Sequence, residues 1–99
     1  MSKQQHLNSV EDLESLIQKS GILQRFSIRR LGVFGSFARN DLANDIDLLI
    51  EDDISLEEAM RFKDELAAMV DNRLDIMLRR LANPIVLYRA GKDMQYVAG

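Results

Sequence analysis

The sequence predicts an α/β domain, a small mixed β-sheet flanked by helices. Three observations predict it. Strand-like runs rich in apolar residues fall at 27–34, 45–50 and 73–78. Between them lie segments with apolar residues at helical spacing, introduced by Ser9, Ser55 and Asn83-Pro84, residues suited to helix starts. The resulting order of strand, loop, strand, helix, strand, helix suits a sheet covered by helices.

The chain has 99 residues, the length of one domain. A chain this short buries about 60–65% of its unfolded surface, enough for one core but not for a cleft between lobes. As an enzyme it would draw much of its substrate site from a partner. Sixteen acids against thirteen bases leave a net charge of −3, which argues against a general nucleic-acid binder. The absence of cysteine excludes disulfides, a thiolate zinc site and a thiol nucleophile. No apolar run approaches the ~20 residues of a membrane span, and the start lacks a secretory pattern, so a cytoplasmic location is expected.

Residues 1–8 read as a disordered tail, with His6 solvated in it, and 9–99 as the single domain. Ser9, followed by Glu11 and Asp12, opens a helix of about ten residues whose apolar face is Val10, Leu13, Leu16 and Ile17. Ser20-Gly21 interrupts it before a second turn carrying Ile22, Leu23 and Phe26. The first strand runs to Phe34 and stops at Gly35, and Phe37-Ala38-Arg39 suits one helical turn. Residues 40–44 are loop, and 45–50 form the second strand. Its apolar residues point both ways, as in a strand covered on both faces.

Ser55 and Glu58 have the spacing of a capping box. The helix they open presents Ala59, Phe62, Leu66 and Met69, widened by Leu56 and Val70. In the third strand Leu74, Ile76 and Leu78 face one way, Asp75 and Met77 the other. Pro84 starts a last helix that Gly91 ends, with Ile85, Val86, Leu87 and Tyr88 packing it down. Met94, Tyr96 and Val97 suggest a short edge strand.

Asp45 and Asp47 project from one face at the head of the second strand. Two acids placed so repel each other and lose hydration, which makes sense with a cation between them, Mg²⁺ above all. Asp75 joins them if the second and third strands pair and their faces agree. It could instead be a strand-end acid paired with Arg73 or Arg79. Gly35 permits close backbone approach, Ser36 adds a hydroxyl, the following turn offers N–H groups, and Arg39 can neutralise phosphate charge.

Gly35-Ser36-Phe37-Ala38-Arg39, then Asp45-Ile46-Asp47-Leu48, then Leu74-Asp75-Ile76 resemble the signature of the DNA polymerase β-like nucleotidyltransferase superfamily, and most of all its minimal branch, the MNT proteins. The resemblance spans about residues 10–90. It implies a polymerase β-like nucleotidyltransferase core and ATP as substrate. Gly35 and Ser36 would bind the triphosphate. Asp45 and Asp47 would hold two Mg²⁺ ions, and Asp75 the catalytic one while helping to activate the attacking hydroxyl. It further implies an antitoxin that transfers AMP to a tyrosine of a HEPN-type RNase toxin and forms a hetero-oligomer with it. The loop from Ser36 to Asp45 is shorter than is common in minimal members. Asn40 replaces a usual glycine and Asn44 a usual serine, and asparagine tolerates left-handed backbone.

Two other functions stay open on the sequence. One is a silent module that neutralises a partner by contact. The other is a transferase acting on a small molecule, for which no second domain remains. Arg25, Arg29 and Arg30 read as a solvated face or as a contact to an acidic partner. Arg79, Arg80, Arg89 and Lys92 read as a solvated face or as nucleotide or partner contacts, and Tyr88 as core or as a base-stacking ring.

Overall fold

The computed structural model describes residues 4–41 and 44–99. Helix α1 spans Val10–Ser20. Its cap is Ser9, whose hydroxyl accepts the Asp12 N–H at 3.2 Å. Gly21, at φ 67°, ends the helix in the left-handed conformation that favours glycine. The short α2, Ile22–Arg25, follows. Ser27 has φ 57°, a conformation that cannot extend a strand, so β1 is Arg30–Phe34 and begins later than residue 27. Next come α3, Gly35–Ala38, and β2, Asp45–Ile50. Leu42 and Ala43, read above as loop, lie outside the described residues.

Helix α4 spans Leu56–Ala67. The Ser55 hydroxyl accepts the Glu58 N–H at 3.1 Å, which is half of the expected box. The Glu58 carboxylate bonds Arg61 instead. Strand β3, Arg73–Leu78, runs through a 3₁₀ turn, Arg79–Leu81, towards α5, Pro84–Gly91. Strand β4, Gln95–Ala98, closes the order.

The four strands lie in the order β3-β2-β1-β4. Strand β1 is antiparallel to β2 and β4, whereas β2 and β3 are parallel and joined through α4. The sheet is therefore mixed, and β4 is an edge strand as expected. Pairing puts Leu31, Val33, Ile46, Leu48, Ile50, Leu74, Leu78 and Val97 on one face. They are buried with Leu13 and Ile17 of α1 and Ala59, Phe62 and Leu66 of α4. A fully buried side chain of this kind contributes about 1.5–3 kcal/mol, so this face carries the fold.

The other face departs from the expectation that β2 is covered on both sides. Leu49 is buried there because Met94 lies over Gly32. A Cβ on Gly32 would come within 2.8 Å of Met94 Sδ and 3.2 Å of Leu49 Cβ. Further along the same face stand Asp45, Asp47 and Asp75, and that end is open: Asp45 and Asp75 are exposed and Asp47 half-buried.

Three further expectations need correction. Residues 4–8 are not a loose tail. Leu7 is only 2% exposed. Gln5 exchanges backbone hydrogen bonds with Met69 and Asp71, both 2.9 Å. Asn72 holds Leu7 through its N–H, 2.8 Å, and its carbonyl, 3.0 Å. His6 keeps contact with solvent but also bonds Asp71 at 2.6 Å. On α4, Leu56 is exposed at the first turn, beyond the edge of the core. On α5 the apolar run does not pack the helix down: Ile85 is 63% and Tyr88 72% exposed, and only Ala90 is buried. A two-turn helix lying at the sheet margin has room to bury only one narrow stripe.

Asn72 is the one buried polar side chain among the described residues, and both of its contacts serve Leu7. Asn72→Ala should cost about 1–3 kcal/mol by stranding those backbone groups, a fall in Tm on the order of 5–15 °C. Thermal denaturation reads it, and an unchanged Tm would mean that the N-terminal segment contributes nothing to the fold.

Candidate active site

The parallel register places Asp47 opposite Asp75 and Asp45 opposite Arg73. Residues paired across neighbouring strands share a face, about 4.8 Å apart, so strand pairing brings Asp75 beside Asp47. Among the described residues none of the three carboxylates has an ion pair or a side-chain hydrogen bond. Arg79 turns away to Glu51, 2.9 Å, and Arg73 makes no ion pair among the described residues. The reading of Asp75 as a partner of either arginine therefore does not hold. Burial first, then the charges of Asp75 and Asp45, raise the Asp47 carboxyl above the ordinary carboxylate range. As they stand, no three acidic or imidazole side chains among the described residues are gathered tightly enough to enclose an ion. The donor chemistry fits a hard divalent cation all the same: unpaired carboxylates on one open face, one of them with its charged form disfavoured by its neighbours.

On the opposite side of β2, Phe34 of β1 pairs with Asp47, and the chain turns at once into α3. Gly35 makes this possible. Its φ is +75°, and a Cβ built on it would collide with Asp47 Oδ2. The backbone of the turn thus rests directly on the central carboxylate. No side chain caps the start of α3, so its first N–H groups are not taken up by a capping residue. Asn40, at φ 66°, ends the turn in the left-handed conformation that the usual glycine would favour.

Arg39 stands at this turn but is already engaged. It donates to Asp93 at 2.8 Å, to Asp41 at 3.2 Å and to the Ser36 hydroxyl at 3.2 Å. The bonds to Asp93 and then Asp41 raise its pKa further, and it stays cationic throughout. Asp93 went unnoticed in the sequence, since nothing local ties it to a residue so distant in the chain. Phe34 and Val86 likewise showed no signal beyond apolarity. Together with Gly35, Arg89 and Ala90 they border a hollow of about 290 Å³ between the glycine turn and α5. A larger hollow, about 430 Å³, runs along Gln5–Leu7 and α1 and contains none of the three acids.

The remaining arginines are mostly tied up. Arg25 pairs with Glu65, Arg29 with Asp52, Arg30 with Glu51 and Arg80 with Asp53. Arg25, Arg29 and Arg30 thus form an exposed face, as one reading of the sequence had it, and that face is salt-bridged. Arg89 differs, since it borders the hollow. Tyr88 is not core: its ring lies at the surface under the Lys92 ammonium, 5.2 Å away.

No family model matches the chain. It is 30% identical over 95 residues to the protein adenylyltransferase MntA of Thermococcus cleftensis, covering 90% of this chain and 96% of that relative. This chain belongs to the minimal nucleotidyltransferase family. Solved structures share the nucleotidyltransferase fold. A toxin–antitoxin crystal structure with AMP-PNP matches with a TM-score of 0.67 at 22% identity, over 87% of this chain and 73% of that one. The structure of a tri-AMPylated Shewanella oneidensis HEPN toxin in complex with its MNT antitoxin matches with a TM-score of 0.61 at 20% identity, over 87% and 69%. In this nucleotidyltransferase the glycine-serine turn and the Asp-x-Asp strand that carried the resemblance are in direct contact, through Gly35 and Asp47. No helix among the described residues is long and apolar enough to cross a membrane.

Two outcomes test this geometry. Because the folded chain raises the Asp47 pKa, it holds that proton more tightly than the unfolded chain does. The stabilisation is complete below the unfolded pKa of about 3.9 and is lost as pH rises through the folded value. In EDTA, Asp47→Asn should abolish that loss and melt a few degrees above the parent at neutral pH, as Tm against pH will read. Gly35→Ala should do the reverse. The left-handed backbone alone costs about 1–2 kcal/mol, and Asp47 must also give way, so Tm should fall on the order of 5–10 °C.

Proposed function

We propose that this protein is a Mg²⁺-dependent adenylyltransferase that moves AMP from ATP to a tyrosine hydroxyl of a HEPN-type toxin and so acts as its antitoxin. The observation that carries the proposal is the contact between the glycine-serine turn and the central member of three unpaired acids. Those are the two halves of a phosphoryl-transfer site, an anion cradle and a set of hard-cation ligands. A cytoplasmic setting, where ATP is present, suits the reading.

The chain's own residues divide the work. Backbone N–H groups at Gly35–Ser36 and the Ser36 hydroxyl receive the β- and γ-phosphates. Arg39 exchanges its bonds to Asp93 and Asp41 for the phosphate oxygens, where its fork has two acceptors in one plane. Asp45 and Asp47 would hold two Mg²⁺ ions, and Asp75 would help to hold the catalytic one. Bound there, the ions would neutralise phosphate charge and make the acceptor hydroxyl more acidic. The acceptor oxygen then bonds the α-phosphorus, the bond to pyrophosphate breaks, and the hydroxyl proton passes to the Asp75 carboxylate. The open end of the sheet face leaves room for an acceptor carried on another protein. The similarity to a protein adenylyltransferase of Thermococcus cleftensis and to the MNT antitoxin in complex with a tri-AMPylated toxin of Shewanella oneidensis supports the same assignment.

A second reading, neutralisation of a partner by contact alone, draws on one observation: the three acids do not close around an ion as they stand. Labelled ATP and Mg²⁺ with a candidate HEPN-type toxin separate the two. Transfer of label to a toxin tyrosine is expected. Asp45→Asn/Asp47→Asn should lower it on the order of 10²-fold or more, the equivalent of several kcal/mol of lost charge stabilisation. A double variant that still protects cells from the toxin would favour contact alone.

A further inference from the structure

Asp93 stands where its own helix does not favour it. It follows α5 directly, and its N–H donates to the Ala90 carbonyl at 3.2 Å. The C-terminal end of a helix carries partial negative charge, which opposes a carboxylate there and favours a cation. Asp93 is settled instead by a distant partner, the Arg39 Nη1 at 2.8 Å, 54 residues away in the chain. Each of the three Arg39 nitrogens donates to an oxygen: Nε to Asp41, Nη1 to Asp93 and Nη2 to the Ser36 hydroxyl. Asp41 lies two residues from Arg39 and travels with it. Asp93 does not, so its bond is the one that ties the glycine-serine turn to α5. The helix has little other hold on the turn. Only Ala90 of α5 is buried, and a hollow of about 290 Å³ lies between Gly35 and Val86, Arg89 and Ala90. Gln95 donates to the Ala38 carbonyl at 2.6 Å, but it belongs to β4.

We infer that the Arg39–Asp93 pair is a latch: closed, it clasps α5 to the glycine-serine turn, and it opens when a polyphosphate takes the guanidinium, which releases α5. The inference rests on the proposed function, in which Arg39 meets phosphate, and adds a coupling between that site and the last helix. Carboxylate and phosphate each offer paired oxygens to the guanidinium fork, so Asp93 and the ligand compete for one group. The side chains of Arg39 and Asp93 are 46% and 27% exposed. A pair this solvated is weak enough for a multiply charged anion to displace. The effect is reciprocal by linkage: the affinity that the anion loses in displacing Asp93 equals the anchorage that α5 loses when the anion binds. Asp93 therefore acts through Arg39, without touching the reacting atoms, and α5 is the part that responds.

Calorimetry with inorganic tripolyphosphate and Mg²⁺ on the whole chain reads one side of the coupling. Asp93→Asn removes the competing charge and should tighten binding about two- to fivefold, the range set by an exposed ion pair. In an Arg39→Ala background the same substitution should change nothing, because the group it releases is gone. A gain that persists there comes from net charge alone and overturns the latch, as does an affinity that Asp93→Asn leaves unchanged or lowers. Hydrogen exchange reads the other side. Saturating tripolyphosphate should speed exchange at the amides of residues 87–92 by a similar factor in the unaltered protein and leave them unchanged in Asp93→Asn, where no latch remains to open. Unchanged or slower exchange in the unaltered protein overturns the release of α5. Failure of the unaltered protein to bind tripolyphosphate removes the phosphate site of the proposed function and the latch with it, whereas binding that ignores Asp93 removes the latch alone.

Discussion

The pairing register of β2 governs everything else in this molecule. Asp47 has Phe34 on one side and Asp75 on the other. That single row sets the glycine turn and the third acid beside the central carboxylate at once. Strand side chains alternate with a period of two, so a slip of one residue would send Asp47 into the core and Leu48 into solvent. Burial of Ile46, Leu48 and Ile50 at essentially zero exposure forbids the slip. The hydrophobic face therefore sets the geometry of the polar one.

The two faces of β2 pull stability in opposite directions. One contributes the burial on which a 99-residue chain depends. The other gathers like charges, and the half-buried Asp47 bears the cost as a raised pKa. Local strain of this kind is common where a site is arranged for its ligand rather than for the empty fold. Gly35 belongs to the same compromise, since its missing side chain is what lets backbone and carboxylate meet. Met94 and Gly32 seal the rest of that face, and the openness is confined to the end that carries the acids.

Arg39 and α5 add a longer-range element. In the free protein the guanidinium bridges the serine of the turn and the carboxylate that follows α5. The glycine-serine turn and the last helix are thereby one mechanical unit. An exposed ion pair is worth little to stability, so the bridge matters for where it holds Arg39 and the helix. The exposed apolar residues of α5 fit a helix placed over a site better than a helix placed over a core.

Much of this was legible in the chain before any coordinates. Strand β2 at 45–50, the helix caps at Ser9, Ser55 and Asn83, and the alternation in β3 follow from short-range rules: side-chain periodicity, capping chemistry and turn residues act within a few positions. The candidate residues Gly35, Ser36, Arg39, Asp45, Asp47 and Asp75 stood out for the same reason, as local motifs. What the sequence alone could not decide were relations between distant segments. The docking of Leu7 by Asn72, the Arg39–Asp93 bridge, the open acid-bearing end of the second face of β2 and the exposure of Ile85 and Tyr88 each depend on which element lies against which. Apolarity marks a residue as able to be buried, whereas burial needs a neighbour, and only the packed chain supplies one.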